Sequence, residues 1–134
     1  MTFHGVNLLA VLTAALSAFV IGGIWYSSFV FGKAWRSANL FRDGEPKSSP
    51  GKTFSLSFIL SVMMALNLAF FLNDPKTTIV WGATAGFLAG FGWVAMGIWI
   101  VSLFEGRPFK YVLVNGGYLT IALVTMGAIL GAWR

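Results

Sequence analysis

The sequence predicts an all-α integral membrane protein that forms a bundle of four transmembrane helices. Hydrophobic residues make up 57% of the 134 residues and charged residues only 10%, whereas an average soluble domain has roughly 25% charged residues. Four apolar stretches have about the 20 residues that a helix needs to cross a bilayer, and none contains Lys, Arg, Asp or His in its interior. Because the chain is too short for a further soluble module, we expect a single transmembrane domain over residues 1–134.

The four helices are expected at about residues 6–31, 54–72, 76–104 and 109–133, with a loop over 32–53. The first helix is too long for a cleaved signal peptide and has no basic segment before it, so we expect it to be retained as a spanning helix. Within the loop, Lys33–Arg42 carries Trp35, Ala38 and Phe41 on one side and basic residues opposite, which predicts a short helix in the headgroup region. A polar stretch rich in Pro, Gly and Ser then leads to the second helix.

Capping residues mark the remaining helix ends. The dipeptides Ser49–Pro50 and Asp74–Pro75 each predict an N-cap and a first helical residue, for the second and third helices respectively. Gly106 is suited to the left-handed conformation that ends the third helix, and Pro108 is suited to begin the fourth. The last two connections are therefore short, and the helices that they join are expected to be antiparallel neighbours.

Basic residues are distributed unevenly between the two ends of the predicted bundle. Lys76 and Arg134 belong to the end that carries both termini. The others flank the first and third connections: Lys33, Arg36, Arg42, Lys47, Lys52, Arg107 and Lys110. Since cytoplasmic loops are enriched in Lys and Arg, we expect loop 32–53 in the cytoplasm and both termini outside. The same placement favours anionic headgroups over nucleic acid as the partner of the net charge of +5, so the lipid bilayer is the expected partner.

Small residues recur at four-residue spacing in every predicted helix, most sharply at Gly82, Gly86 and Gly90 in the third. Such ridges let helix backbones approach closely in lipid, where hydrophobic exclusion contributes little to helix association. Two alternatives stay open for this glycine face. It packs within one bundle, or it forms the contact between copies of a homo-oligomer.

One phrase occurs twice, because Gly23–Trp35 aligns without gaps on Gly97–Phe109. Both segments read G-I-W-x-x-S, an aromatic residue or Leu, two variable residues, then G, a basic residue, a variable residue and an aromatic residue. The repeat predicts two tandem hairpins of similar sequence, with chance similarity of two membrane interfaces as the alternative. It also predicts a functional cluster at one membrane depth, formed by Trp25, Tyr26, Gly32, Lys33, Trp35, Glu105 and Arg107.

Polar and aromatic residues within the spans are further candidates. Glu105 is either part of an interfacial ion pair or a gate or substrate contact. Asn67 and Asn115 are intramembrane amides, and Asn67 is expected to lie deep in its helix and to bond across helices to Asn115 or to threonines. Trp93 and Trp99 also lie deep, where they are either buried against the glycine faces or line a cavity.

The chain is poor in catalytic and metal-binding groups. It has no Cys, and its one imidazole, His4, has no other ligand type close by in the sequence. No nucleophile–base pair is recognisable. We therefore expect no enzymatic activity, no metal and no cofactor. A membrane enzyme that acts through Glu105 with neighbouring Lys33, Arg36 and Arg107 is the least favoured hypothesis.

The repeated phrase carries a family resemblance. Gly23–Ser28 with Phe31–Trp35 resembles the signature of a family of small bacterial membrane proteins, domain of unknown function 1761. The segments Phe104–Pro108, Gly116–Tyr118 and Gly127–Trp133 are similar to the same family, so the resemblance covers nearly the whole chain. It implies four helices in the bacterial inner membrane, but it assigns neither an activity nor catalytic residues to the chain.

These observations favour a non-enzymatic role. The first hypothesis is that a homo-oligomer of this chain binds or passes a small apolar or amphipathic solute, whose identity the sequence leaves open. Because a bundle packed tightly on glycine leaves little space for a path, this hypothesis requires several copies. The alternative is a structural protein that docks another membrane protein and transports nothing.

Overall fold

The computed structural model describes residues 2–27, 29–39 and 50–134. Near the start of the described residues lies a small antiparallel hairpin of two-residue strands, β1 (Thr2–Phe3) and β2 (Val6–Asn7), and the other regular elements that the structure describes are helices. The helices are α1 (Leu8–Trp25), α2 (Gly32–Asn39), α3 (Pro50–Phe71), α4 (Ile79–Ala89), a π-helical segment (Gly90–Ala95), α5 (Met96–Glu105) and α6 (Phe109–Ala132).

Four helical spans within the described residues are long and apolar enough to cross a membrane, which confirms the all-α class with four long apolar helices. They are Leu8–Trp25, Gly51–Phe71, Ile79–Glu105 and Phe109–Ala132. The third span consists of α4, the π segment and α5 in one continuous helical rod of 27 residues. The other three coincide with α1, nearly all of α3, and α6.

Helix α1 ends at Trp25, six residues before the predicted end at residue 31. The backbone N–H of Phe31 donates to the carbonyl oxygen of Trp25 at 2.9 Å, and that of Gly32 donates to Ser27 at 2.8 Å, so the chain folds back on itself. This turn needs glycine, because a Cβ on Gly32 would lie 2.6 Å from the carbonyl oxygen of Tyr26. Helix α2 follows inside the segment predicted as a loop, where the sequence indicated a short amphipathic helix.

The predicted start of the third span at Asp74–Pro75 is wrong. Thr78 is the N-cap, and its hydroxyl accepts from the N–H of Trp81 at 3.1 Å. The Asp74 carboxylate accepts instead from the N–H of Lys76 at 2.8 Å, because Asp readily satisfies its own local turn. Other predicted ends agree better, since Pro50 is the first residue of α3 and Gly106 has φ 69° after α5. The predicted cap Ser49 lies outside the described residues.

The C-terminus closes the same end of the bundle. The Arg134 guanidinium donates to the carbonyl oxygens of Leu72 at 2.8 Å and Asp74 at 2.7 Å. These bonds tie Arg134 to the connection that follows α3, where the Leu72 carbonyl oxygen also accepts from the Thr77 hydroxyl at 2.8 Å. At the start of the chain, the Asn7 side chain caps α1 by accepting from the N–H groups of Leu9 and Ala10.

Helix α6 is the central helix of the bundle. One side of α6 packs along α4 and the π segment, and another side packs on α1. Helix α3 packs on α1. The order is therefore α4, α6, α1, α3, with α3 and α4 at the outer positions. Alanines fill much of the core, so the helices lie close together: Ala10, Ala14, Ala15, Ala18, Ala65, Ala69 and Ala122 are all buried.

The α4–α6 contact is made by glycines on both helices, and we call it the glycine seam. A Cβ on Gly82 or Gly86 would collide with the backbone of α6, and one on Gly90 would lie 2.7 Å from the Cα of Thr120. The facing pairs are Gly82 with Gly127, Gly86 with Leu123, Gly90 with Thr120, and Gly131 with Thr78. The predicted glycine face thus packs within one chain, the first of the two alternatives.

Candidate functional site

The aromatic end of α1 is fastened to α6 by two hydrogen bonds. The Nε1–H of Trp25 donates to the carbonyl oxygen of Val114 at 2.8 Å, and its ring lies against Gly117, where a Cβ would be 2.9 Å from Cζ2. The hydroxyl of Tyr26 donates to Oδ1 of Asn115 at 2.6 Å. These residues join the first and last spans at one end of the bundle.

Asn115 uses both functions of its amide in this contact. Its Nδ2 donates to the carbonyl oxygen of Tyr111 at 3.0 Å, one turn earlier in α6. The Tyr111 ring in turn lies beneath the Arg107 guanidinium, whose Cζ is 4.7 Å from the ring centroid. Asn115 therefore bonds across helices, as expected of an intramembrane amide, although its partner is Tyr26 and not Asn67.

Two more aromatic rings complete this cluster, which we call the aromatic clamp (Trp25, Tyr26, Trp35, Asn115 and Tyr118). The Tyr26 ring makes edge contacts with Trp35 and Tyr118, at centroid distances of 5.5 and 5.4 Å. The Tyr118 hydroxyl donates to the carbonyl oxygen of Ala18 at 2.9 Å. Burial, with smaller effects of the nearby phenols Tyr118 and Tyr111, raises the pKa of Tyr26 above its usual value, so this hydroxyl stays a neutral donor.

The charged members of the predicted cluster lie apart from the clamp's interior. The Nε of Arg107 is 3.0 Å from Oε1 of Glu105, two residues away along the chain, and both side chains are exposed. Lys33 is exposed on α2, and Gly32 serves the turn before α2. Glu105 therefore belongs to a surface ion pair, and Arg107 connects that pair to the clamp through the Tyr111 ring.

The two copies of the repeated phrase adopt different backbones. The first copy leaves the helix after Trp25, whereas the second stays helical through Glu105. Their aligned tryptophans also have different neighbours, since Trp25 lies on α6 and Trp99 packs against Phe109 at a centroid distance of 5.0 Å. The repeat places similar residues at one end of the bundle without giving them equivalent contacts.

The prediction that Asn67 bonds to Asn115 or to threonines within the bundle is wrong. Asn67 is exposed on the outer side of α3, and no described residue forms a hydrogen bond with its amide. Helices α3 and α6 run in the same direction, and Asn67 is near the end of α3 whereas Asn115 is near the start of α6, so the two amides lie at opposite ends. The threonines proposed as partners, Thr84, Thr120 and Thr125, each bond a carbonyl four residues earlier in their own helix.

An apolar groove of about 460 Å³ separates α3 from α4, and we call it the lateral groove. It is lined by Leu68 and Phe71 from α3, by Leu72 just after α3, and by Trp81, Ala85, Leu88, Ala89 and Trp93 from the third span. It extends from the α3–α4 connection toward Trp93 in the middle of the third span. The side chain of Trp93 is 70% exposed, so it lines a cavity and is not buried against the glycines.

The π segment places Trp93 on the groove. Trp81 and Trp93 are twelve residues apart, which in an uninterrupted α-helix would set their directions about 120° apart. The wider turn of the π segment, Gly90–Ala95, brings Trp93 back toward the side of Trp81. Single π turns are frequent at functional sites. The spacing of Trp81, Ala85 and Leu88 was visible in the sequence as one helix face, but the π turn was not.

The four apolar spans and their lateral groove define a multi-pass membrane protein of all-α fold. The family model described as "Protein of unknown function (DUF1761)" matches residues 9–131, so the chain belongs to that family, which confirms the resemblance seen in the sequence. No curated protein and no solved structure matches the chain.

Proposed function

We propose that this protein binds a small amphipathic solute from the bilayer, with the apolar part of the solute in the lateral groove. The groove itself is the observation that carries this proposal. Its volume of about 460 Å³ lies within the roughly 300–1,000 Å³ typical of small-molecule sites, and its lining is aliphatic and aromatic. The groove lies within one chain, so several copies are not needed to create it.

The two ends of the lateral groove differ in polarity, which sets the direction of the solute. Phe71 and Leu72 at one end adjoin the α3–α4 connection, where Asp74 and Lys76 are exposed. The other end is lined by the apolar side chains of Leu88, Ala89 and Trp93. A polar headgroup therefore fits at the connection, and an alkyl chain fits along the groove toward Trp93.

The distribution of charge supports an orientation in the bacterial inner membrane. At the α2 end of the bundle, the described basic residues are Lys33, Arg36, Lys52, Arg107 and Lys110, and at the other end they are Lys76 and Arg134. The positive-inside tendency then places loop 32–53 in the cytoplasm and both termini outside. In this orientation the headgroup of the solute lies in the outer leaflet. The proposed role is binding or passage of the solute and involves no catalysis.

Native mass spectrometry after gentle release from the membrane tests the proposal. The wild-type chain should carry a reproducible extra mass that corresponds to an amphipath with an alkyl chain. Ala85→Trp fills the lateral groove and should remove this mass. Val80→Trp is the matched control, because Val80 is 75% exposed on the same helix but does not line the groove.

Three results would contradict the proposal. They are a wild-type chain without bound mass, a mass that survives Ala85→Trp, and a mass lost equally in both variants. A stoichiometric second protein recovered with the wild-type chain and displaced by Ala85→Trp would favour the alternative, a partner-docking protein without transport.

A further inference from the structure

The outer face of α3 carries a regular stripe of exposed side chains with Asn67 in it. Leu56, Leu60, Met63 and Phe70 are 47%, 56%, 61% and 42% exposed, and Asn67 is exposed as well. Successive members of this series are separated by four, three, four and three residues. That is the alternation of a and d positions in a heptad, the pattern with which one helix packs along another. We call these five residues the α3 stripe.

The amide in the α3 stripe lacks a partner inside the bundle. Asn67 lies within the apolar span Gly51–Phe71, four residues or about 6 Å before the end of α3. The Cα–Cβ bonds of a helix tilt toward its N-terminus, which for Asn67 is the direction of the bilayer centre. Alkyl chains of lipid offer no hydrogen bond, so an amide facing them is disfavoured. Among the described residues, nothing satisfies it.

We propose that the α3 stripe is the contact between two copies of this chain, related by a twofold axis along the membrane normal, with the two Asn67 amides hydrogen-bonded to each other. All copies insert with one orientation, so their α3 helices run parallel and Asn67 meets its counterpart at the same depth. An amide carries both donors and an acceptor, so it complements itself across such an axis. A single Asn at an a position is also a known means of fixing register and oligomeric state.

The stripe and the lateral groove meet at the end of α3, where the groove residue Phe71 follows Asn67 by four residues and so lies on the same side of the helix. The groove is lined by Leu68, Phe71 and Leu72, and none of these belongs to the stripe. Leu68 and Leu72 lie on a different side of the helix, so pairing along the stripe does not cover these two groove residues. The inference does not depend on the proposed function, because it concerns self-association and not the solute.

The absence of cysteine from the chain permits a direct test by single-cysteine cross-linking in membranes. Met63→Cys lies on the stripe one turn from Asn67, and it should form a disulfide-linked dimer under mild oxidation. Val20→Cys, on the outer side of α1 and 60% exposed, is the matched control and should remain monomeric. Adding Asn67→Leu to Met63→Cys should lower dimer formation by about three- to tenfold, as expected for the loss of one or two interhelical hydrogen bonds. Adding Asn67→Gln should preserve most of it.

Several outcomes would overturn the inference. Equal cross-linking of Met63→Cys and Val20→Cys would indicate random collision. A Met63→Cys chain that stays monomeric would show that lipid or another protein covers the stripe. Specific cross-linking that Asn67→Leu does not reduce would show that the amides do not hold the contact. Because Asn67 is exposed, its replacement by Leu should leave the bundle intact, and an unchanged unfolding temperature of the monomer in detergent checks this.

Discussion

Two faces of the same helix, α4, behave in opposite ways. Toward α6, the glycine seam brings two backbones into contact, because Gly82 and Gly86 face Gly127 and the backbone of Leu123 without any side chain between them. Toward α3, Trp81 and Ala85 border the lateral groove, where the helices stay apart. The comparison shows that association in this bundle follows the positions of small residues and not the hydrophobicity of a face, since both faces are apolar.

The contrast between the glycine seam and the lateral groove also assigns stability and ligand binding to different parts of the bundle. Close backbone contact gives the glycine seam a large number of dispersion contacts, which are the main attraction between helices in lipid. The lateral groove forgoes such contacts and leaves space for another molecule. We infer that α4, α6 and α1 form the rigid part of the fold and that the α3 side is the part suited to a ligand.

Adding one methyl group to the seam should have the largest effect. In Gly86→Ala the new Cβ would collide with the backbone of Leu123, which is unable to move aside without separating α4 from α6. We expect a loss of about 1–3 kcal/mol or more of unfolding free energy, the range seen for overpacking. Thermal unfolding in detergent measures it. Gly92→Ala is the control, because nothing lies within 4 Å of its added Cβ, and an equal loss there would contradict the account.

Shortening a groove side chain should affect binding more than stability. Trp93→Ala removes an indole that is 70% exposed and lines the groove, so few contacts within the bundle are lost. Solute affinity should fall roughly tenfold, equivalent to about 1.4 kcal/mol, with little change in the unfolding temperature. Leu103→Ala, equally exposed but outside the groove, should change neither quantity. A Trp93→Ala protein that unfolds much earlier but retains its solute would reverse the assignment of the two faces.

The aromatic clamp provides an intermediate case, because one of the hydrogen bonds that join α1 to α6, from Tyr26 to Asn115, can be removed by itself. Tyr26→Phe leaves Oδ1 of Asn115 without its donor at 2.6 Å. We expect a loss of about 1 kcal/mol, most of which should disappear in the background of Asn115→Leu. A double-mutant cycle by thermal unfolding measures the coupling. Thr125→Val serves as control, since that hydroxyl bonds only within its own helix. Additive losses would mean that the bond contributes nothing to holding α1.

Removing the surface ion pair should have the smallest effect. Glu105→Gln loses a charge interaction in which both side chains are exposed, and exposed pairs contribute about 0–1 kcal/mol. The unfolding temperature should therefore shift little, and any shift should shrink at high salt. Loss of solute binding in Glu105→Gln would contradict the placement of the site in the lateral groove and would favour the charged end of the bundle instead.

The sequence was sufficient for the features that depend on composition and on short-range chemistry. The lengths of the apolar stretches predicted the four spans. The left-handed conformation of Gly106 was predicted from its position after an apolar run, and the four-residue spacing of Gly82, Gly86 and Gly90 indicated close helix packing. Helix ends were harder to predict from the sequence, because several neighbouring residues are able to act as the cap. Asp74 satisfies its own turn, and Thr78 caps the helix instead.

The candidate site was largely beyond the sequence, because it depends on which helices are neighbours. Asn67 and Asn115 are both amides in apolar helices, yet Asn115 bonds to Tyr26 whereas Asn67 faces outward. The order and direction of the helices set this difference. The lateral groove depends on the π segment that redirects Trp93 and on the outer positions of α3 and α4. No pattern in the sequence indicates either.

The most direct test of the contrast between the two faces is nuclear Overhauser spectroscopy on methyl-labelled protein in lipid nanodiscs. The methyl groups of Ala85 and Ala89 line the lateral groove, whereas Ala122 is buried between helices. Our account predicts strong contacts from alkyl-chain protons to Ala85 and Ala89 and none to Ala122. Direct contacts from Leu68 of α3 to Ala85 of α4, with no alkyl-chain contacts at Ala85 or Ala89, would show that the groove is closed and would contradict the account.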